Sequence, residues 1–258
     1  MPRADRYISG FFSPGASRTV VRAKVLGPVE AASLSSGLQA DAADLYYSAW
    51  ISFLDGLHGI NRGFYTWATV KLYYSVFYAF RSSLAHDDVC EFHVDGSHYT
   101  VIAQTGATPV SCVDRGTHKT VLKSFQRLNP THALVSQQID LVHAVDWLMQ
   151  RREEANYGHP RFNEPDCRPE LEFIAAKGVR QTLNAYLAEP SFDYVFDPDH
   201  AMVAYPLRAL QLIGNQLMAA APGGLGEDEK AFLRTHSRDT SGSLSVLLSE
   251  MKRLTLFA

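Results

Sequence analysis

The chain has 258 residues, 46% hydrophobic and 20% charged, an ordinary globular composition long enough for one large core or two small ones. Its net charge of -3 excludes an overall basic field that would draw it to nucleic acid and leaves that role to a local basic patch. Cys90, Cys112 and Cys167 form no CxxC pair and are odd in number, as reduced intracellular thiols are. The opening MPRADRYISGFFSPGASRTVV lacks an apolar run of signal-peptide length, and no window approaches the roughly 20 apolar residues of a membrane span. The expectation is a cytoplasmic protein with no membrane segment.

Residues 1–30 carry Gly, Pro and Ser without periodicity and read as an irregular arm. From Ala31 to Leu57 the apolar residues Leu38, Ala42, Leu45, Ala49 and Phe53 recur at helical spacing, and Gly56, Gly59 and Gly63 then mark a turn. The next helix, FYTWATVKLYYSVFYAFRSSLA, is apolar around most of its circumference, which suits the centre of a bundle.

Residues 89–113 change period. VCEFHVDGSHYTVI alternates about Asp95-Gly96, a two-residue hairpin signal that opposes Val94 to Ser97, His93 to His98, Phe92 to Tyr99 and Glu91 to Thr100. One face then holds Phe92, Val94, Tyr99 and Val101, and the other Glu91, His93, His98 and Thr100. Helical character returns in GTHKTVLKSFQRL. A longer helix is expected from Thr131, as N-cap, to about Tyr157, because Val135, Ile139, Val142, Val145 and Met149 recur three or four apart. GHPRFNEPDCRP is a loop, RPELEFIAAKGVRQTLNAYLAEP a single helix, and SFDYVFDPDH an aromatic, acidic connector. Helices at about 200–221, 227–236 and 243–255 complete a mainly α chain. Its expected organisation is an arm over 1–30, a helical bundle over 31–187 with a β insertion at about 89–113, and a C-terminal helical extension over 188–258.

Three short patterns occur in one order. WATVKLYYSVFYAF has a Tyr-Tyr-Ala-x-Phe-like stretch, THKTVLKSF places a Thr-His pair ahead of a helix with a later Phe, and RREEANYG follows Arg-x-x-Ala-Asp-Tyr with Asn156 in place of Asp. In that order they resemble the HEPN superfamily, over about Ala31 to Phe162 but not over the hairpin, the arm or the C-terminal helices. The resemblance implies an antiparallel bundle of four or five helices that commonly forms a dimer, often within prokaryotic toxin–antitoxin or antiviral defence systems. Active members carry an Arg-(x4–6)-His motif that cleaves RNA without metal, and others are partner- or ligand-binding subunits.

RREEANYGHPRF holds the residues such chemistry requires. Attack of a 2′-OH on phosphorus needs a proton-transfer group, which histidine supplies near neutral pH, and a cation on the phosphoryl oxygens, which arginine supplies through paired N–H donors. Arg152 and His159 are the catalytic candidates, separated by six residues and on one face if the helix persists, with Arg151, Asn156 and Tyr157 in support. Gly158 and Pro160 place His159 at or past the helix end. A second reading is non-catalytic: the same face binds a partner enzyme, a nucleotide or RNA. A third leaves an ordinary helix end, with arginines meeting the negative pole of the dipole and Glu153 and Glu154 solvated.

His118, in a helix's first turn near Arg115 and Lys119, is a secondary anion-binding candidate. Glu91, His93 and His98 form a weaker metal alternative. His143 reads as a core or interface residue within the long helix. Asp193, Asp197 and Asp199 lack EF-hand spacing, and the chain has no P-loop, Rossmann or GxSxG pattern. No cofactor is expected. The implied partners are RNA as substrate, a second copy of the chain, or a protein of a defence complex.

Overall fold

The computed structural model describes residues 2–114, 116–220, 225–238, 242 and 244–254. Among these are eleven α-helices, two 3-10 helices and five short strands, so the chain is mainly α with small antiparallel sheets. No helix among the described residues is long and apolar enough to cross a membrane. The chain divides into two compact units, Met1–Leu45 with Phe80–Leu128, and Tyr46–Ala79 with Asn129–Ala258.

The first unit holds α1 (Arg3–Ser9), α2 (Arg18–Ala23), the start of α3 (Pro28–Asn61), the end of α4 (Tyr65–His86), three strands and α5 (Thr117–Leu128). The irregular arm expected over residues 1–30 is thus corrected to two short helices. Pro2 gives α1 no side-chain cap. The cap comes instead from Asp41, whose carboxylate accepts the Arg3 N–H at 2.9 Å and the Ala4 N–H at 2.8 Å, a partner too remote in sequence to be read locally. Ala4, Ile8, Val21 and Leu26 are buried with Leu34 and Leu38.

The hairpin has the register expected from the sequence. β1 (Val89–Val94) and β2 (Ser97–Ile102) pair Glu91 with Thr100, Phe92 with Tyr99 and His93 with His98. Asp95 and Gly96 both take positive φ (50° and 74°), the conformation a two-residue primed turn demands and Asp-Gly tolerates. A third strand, β3 (Val110–Ser111), pairs with β2. Phe92, Tyr99 and Val101 are buried on one face, and Phe80 stacks on Phe125 of α5 with ring centroids 3.8 Å apart.

The second unit holds the remainder of α3 and α4, the hairpin β4 (Gln138–Ile139) and β5 (Val142–His143), α6 (Ala144–Tyr157), α7 (Pro169–Lys177), α8 (Val179–Ala188), α9 (Ala201–Ala220), α10 (Glu227–His236) and α11 (Leu247–Arg253). Gly56 and Gly59 lie inside α3 and do not mark a turn; only Gly63 (φ 77°) does. A Cβ at Gly56 would come within 2.8 Å of Leu72 Cγ, and one at Gly59 within 3.2 Å of Ala68 Cβ, so these glycines admit α4 at close range. The helix expected from Thr131 begins only at Ala144. Ahead of it, Asp140 and Leu141 take positive φ (50° and 63°) and close a tight hairpin whose apolar residues happen to fall at helical spacing. His143 accordingly ends a strand and precedes α6, half-buried, and is not a residue within a helix. Gly178 (φ 92°) divides the single helix expected after Pro169 into α7 and α8. α9 and α10 fall where periodicity put them, whereas the helix expected over about 243–255 begins only at Leu247, with a turn over 244–246; residues 221, 243 and 255 of the expected ranges lie outside the described residues.

Candidate functional site at the end of α6

α6 buries Val145, Trp147, Leu148 and Ala155, which turns its last two turns so that Arg151 and Arg152 lie half-buried at the rim of the second unit. The Arg151 guanidinium sits 5.5 Å from the Trp147 ring centroid, one turn earlier, and its Nη2 donates to Glu154 Oε1 at 3.1 Å. Arg152 is surrounded by aromatic rings. Its Cζ lies 5.8 Å from the Tyr73 centroid, 5.9 Å from Tyr74 and 5.6 Å from Tyr157, within cation–π range of all three. The Nε–H of both arginines is buried and finds no acceptor among the described residues. Burial pushes the Tyr73 phenol well above its ordinary range, with the Arg152 charge opposing, so Tyr73 stays a neutral ring beneath the guanidinium.

The helix ends at Tyr157, and Gly158 N–H closes it on Glu154 O at 2.9 Å. His159 follows, exposed and outside the helix, with no hydrogen bond or ring contact to Arg152. Asn156 is half-buried, and Tyr157 is 74% exposed, so of the supporting residues Tyr157 alone reaches the Arg152 cluster. The expected pairing of Arg152 with His159 on one helical face is therefore not made by the helix itself, because the helix stops two residues short of His159.

Further contacts fasten the loop after α6 to α4. Phe162 meets Trp67 edge to face at 5.7 Å between centroids. The Glu164 carboxylate accepts the Thr66 N–H at 2.7 Å and the Thr66 hydroxyl at 2.8 Å, taking up an orphan donor of the first turn of α4. Burial raises the Glu164 carboxyl, but these hydrogen bonds and the Arg168 charge outweigh it and hold the group below its ordinary value. Buried Arg168 donates to Glu170 Oε1 at 2.5 Å and approaches Glu154 Oε2 at 3.9 Å, while Glu170 also accepts from Thr69 Oγ1 at 3.0 Å. No spacing in the sequence signals Tyr73, Trp147, Thr66 or Arg168 as parts of this site. Each joins it through contacts between α4, α6 and the loop.

The other candidates belong to the first unit. His118 is half-buried in the first turn of α5, and Arg115, invoked beside it, lies outside the described residues. His93 Nε2 and His98 Nε2 are 3.2 Å apart, and burial lowers the pKa of both imidazoles, His98 also through His93. Glu91 Oε1 is buried and without a hydrogen-bond partner among the described residues, and desolvation pushes its carboxyl up to about 7 against the opposing influence of Ser124, Arg81 and Arg127. Among the described residues no three His, Cys, Asp or Glu side chains are arranged to hold a metal ion, so Glu91 does not complete a site with the two imidazoles as they stand.

Comparison with models of known protein families, with curated proteins and with solved structures gives no match for this chain.

Proposed function

We propose that this is a HEPN-like protein of a prokaryotic defence or toxin–antitoxin system, and that the end of α6 is the face that engages RNA. The observation that supports this reading best is the Arg152 guanidinium held among the Tyr73, Tyr74 and Tyr157 rings. A fixed, permanently charged fork suits a phosphate, and the exposed Tyr157 ring beside it suits a base. Metal-independent cleavage is the activity proposed for the face. Arg152 stabilises charge on the phosphoryl oxygens, and His159 moves the proton of the attacking 2′-OH once RNA draws it towards Arg152.

A specific observation favours a second reading, a non-catalytic subunit that binds RNA, a nucleotide or a partner enzyme. His159 is exposed beyond the helix end and has no hydrogen bond or ring contact among the described residues to orient it, and a proton-transfer group ordinarily needs one. One experiment separates the two: RNA binding and RNA cleavage by the full chain in excess EDTA, for wild type, Arg152→Ala and His159→Ala. Cleavage lost in both variants identifies the nuclease. Binding lost in Arg152→Ala alone, without cleavage by wild type, identifies the binding subunit. Wild type that neither binds nor cleaves RNA refutes both RNA readings.

A further inference from the structure

Three cations lie close together near the start of the chain, and the fold treats them unequally. Lys24 is neutralised: its Nζ donates to Glu30 Oε1 at 2.5 Å and lies 4.5 Å from the Phe11 ring centroid. Glu30 is fully used, because its other oxygen accepts the Gly27 N–H at 2.8 Å. Arg18 and Arg22, one turn apart on α2, are exposed and make no ion pair or side-chain hydrogen bond among the described residues. Like charges at that spacing repel each other, so α2 carries a cost that no carboxylate among the described residues offsets.

Both arginines line one wall of an open groove of about 350 Å3, with Thr19 beside them, and Thr108, Pro109 and Val110 form the facing wall. The backbone fixes these walls. Buried Val21 anchors α2, and the Ser17 hydroxyl accepts the Val20 N–H at its start. Just beyond α2, the Leu26 N–H donates to Ala107 O at 3.0 Å, and Leu26 O accepts the Gly106 N–H at 2.8 Å. Val110 then enters β3, paired with Thr100. The groove is therefore pre-formed, and among the described residues no Asp or Glu lines it.

We propose that this groove binds a small phosphorylated molecule of the nucleoside diphosphate class, with Arg18 and Arg22 on its phosphoryl groups and the wall of Pro109 and Val110 against the remainder. Guanidinium forks bind phosphoryl oxygens through paired N–H donors and keep their charge throughout the physiological pH range. Two of them one turn apart match a ligand with two linked phosphoryl groups better than one with a single carboxylate. Thr19 and Thr108 add hydroxyl donors for the same oxygens. The volume falls in the range of roughly 300–1,000 Å3 that small-molecule sites occupy, and it exceeds the need of an inorganic ion. Val110, 55% exposed, supplies apolar surface for a sugar or base. An acidic peptide added along β3 fits less well, because that strand offers a ladder only two residues long. The groove shares no residue with the α6 face and does not rest on the reading of that face.

The test is calorimetric titration of the full chain with ADP at low salt, with inorganic phosphate, adenosine and citrate as comparison ligands. One ADP per chain is expected, bound at least about tenfold more tightly than inorganic phosphate or citrate, with no saturable binding of adenosine. Arg18→Gln and Arg22→Gln each weaken ADP about tenfold or more, and Thr108→Glu, which sets a negative charge on the facing wall, acts in the same direction. Arg6→Gln removes a charge of the same sign from an exposed position of α1 outside the groove and leaves the affinity as it was. Each substituted side chain is exposed, so the variants keep the fold. Absence of saturable ADP binding, equal affinity for citrate, unaltered ADP affinity in any of the three groove variants, or capture of an oligoglutamate peptide in place of ADP overturns the site. None of these readouts depends on RNA.

Discussion

Glu164 caps Thr66: one carboxylate takes both the backbone N–H and the hydroxyl of the second residue of α4, at 2.7 and 2.8 Å. The segment that carries His159 is thereby anchored at its far end, while the residues between Gly158 and Phe162 stay exposed. Glu164→Ala removes the cap and is expected to cost about 0.5–2 kcal/mol, in the range of other helix N-cap losses. The loop should then be nicked faster by trypsin at Arg161. The sign of the pH effect follows from the lowered carboxyl: the cap's contribution is complete above the ordinary carboxylate range and is lost as pH falls through the depressed folded value. Urea melts of wild type and variant should therefore converge in acid and differ at neutral pH.

Glu91 has the opposite sign. Its carboxyl is pushed from 4.5 up to about 7 by burial, so the folded state holds a proton that the unfolded state has released. Stability from this group is present below the unfolded value and is lost as pH rises through about 7. The difference corresponds to roughly 3 kcal/mol at alkaline pH. Glu91→Gln keeps the shape and removes the titration. It should match wild type near pH 5 and exceed it in denaturant midpoint at pH 8, and a variant less stable than wild type at pH 8 contradicts the assignment.

The imidazoles of His93 and His98 respond to acid. Both have lowered folded values, so the unfolded chain binds their protons first and stability falls as pH drops through about 6.5, the ordinary histidine value. His98→Asn should flatten this acid limb while leaving the Glu91 limb in place. Because the two limbs slope in opposite directions across the same window, the wild-type profile alone looks flatter than either component. Stability profiles of Glu91→Gln, His98→Asn and the double variant separate them.

What the sequence made legible is what local chemistry decides. Asp95-Gly96 specifies a primed turn, and the pairing of His93 with His98 follows from it. The hairpin at Asp140-Leu141 was hidden because Leu141 is an unusual residue for a left-handed conformation, and because buried Ile139, half-buried Val142 and buried Val145 fall on a spacing that a helix shares. The helix of α1 was hidden for a different reason: its cap, Asp41, arrives from α3. The site divides in the same manner. Arg151 and Arg152 are visible as charges at a helix end, but the rings that hold Arg152 come mainly from α4, and only the fold brings Tyr73 and Tyr74 beneath it.

That aromatic setting predicts how Arg152 tolerates conservative change. A guanidinium is flat and weakly hydrated, so it rests on the Tyr73 and Tyr74 rings while its outer N–H groups stay available to a phosphate. The ammonium of lysine is compact and strongly hydrated, and it offers no planar fork. On the proposed reading of this face as an RNA-binding one, Arg152→Lys keeps the charge yet should lower RNA affinity about tenfold or more, nearly as far as Arg152→Ala, with little change in melting temperature. Tyr73→Leu should weaken binding in the same direction while Tyr73→Phe retains it, because the ring and not the hydroxyl supports the guanidinium. If charge alone mattered, Arg152→Lys would bind as wild type and Tyr73→Leu would change only stability. Fluorescence anisotropy with a labelled RNA at two salt concentrations distinguishes the cases, since a lost phosphate contact also lowers the salt dependence of binding.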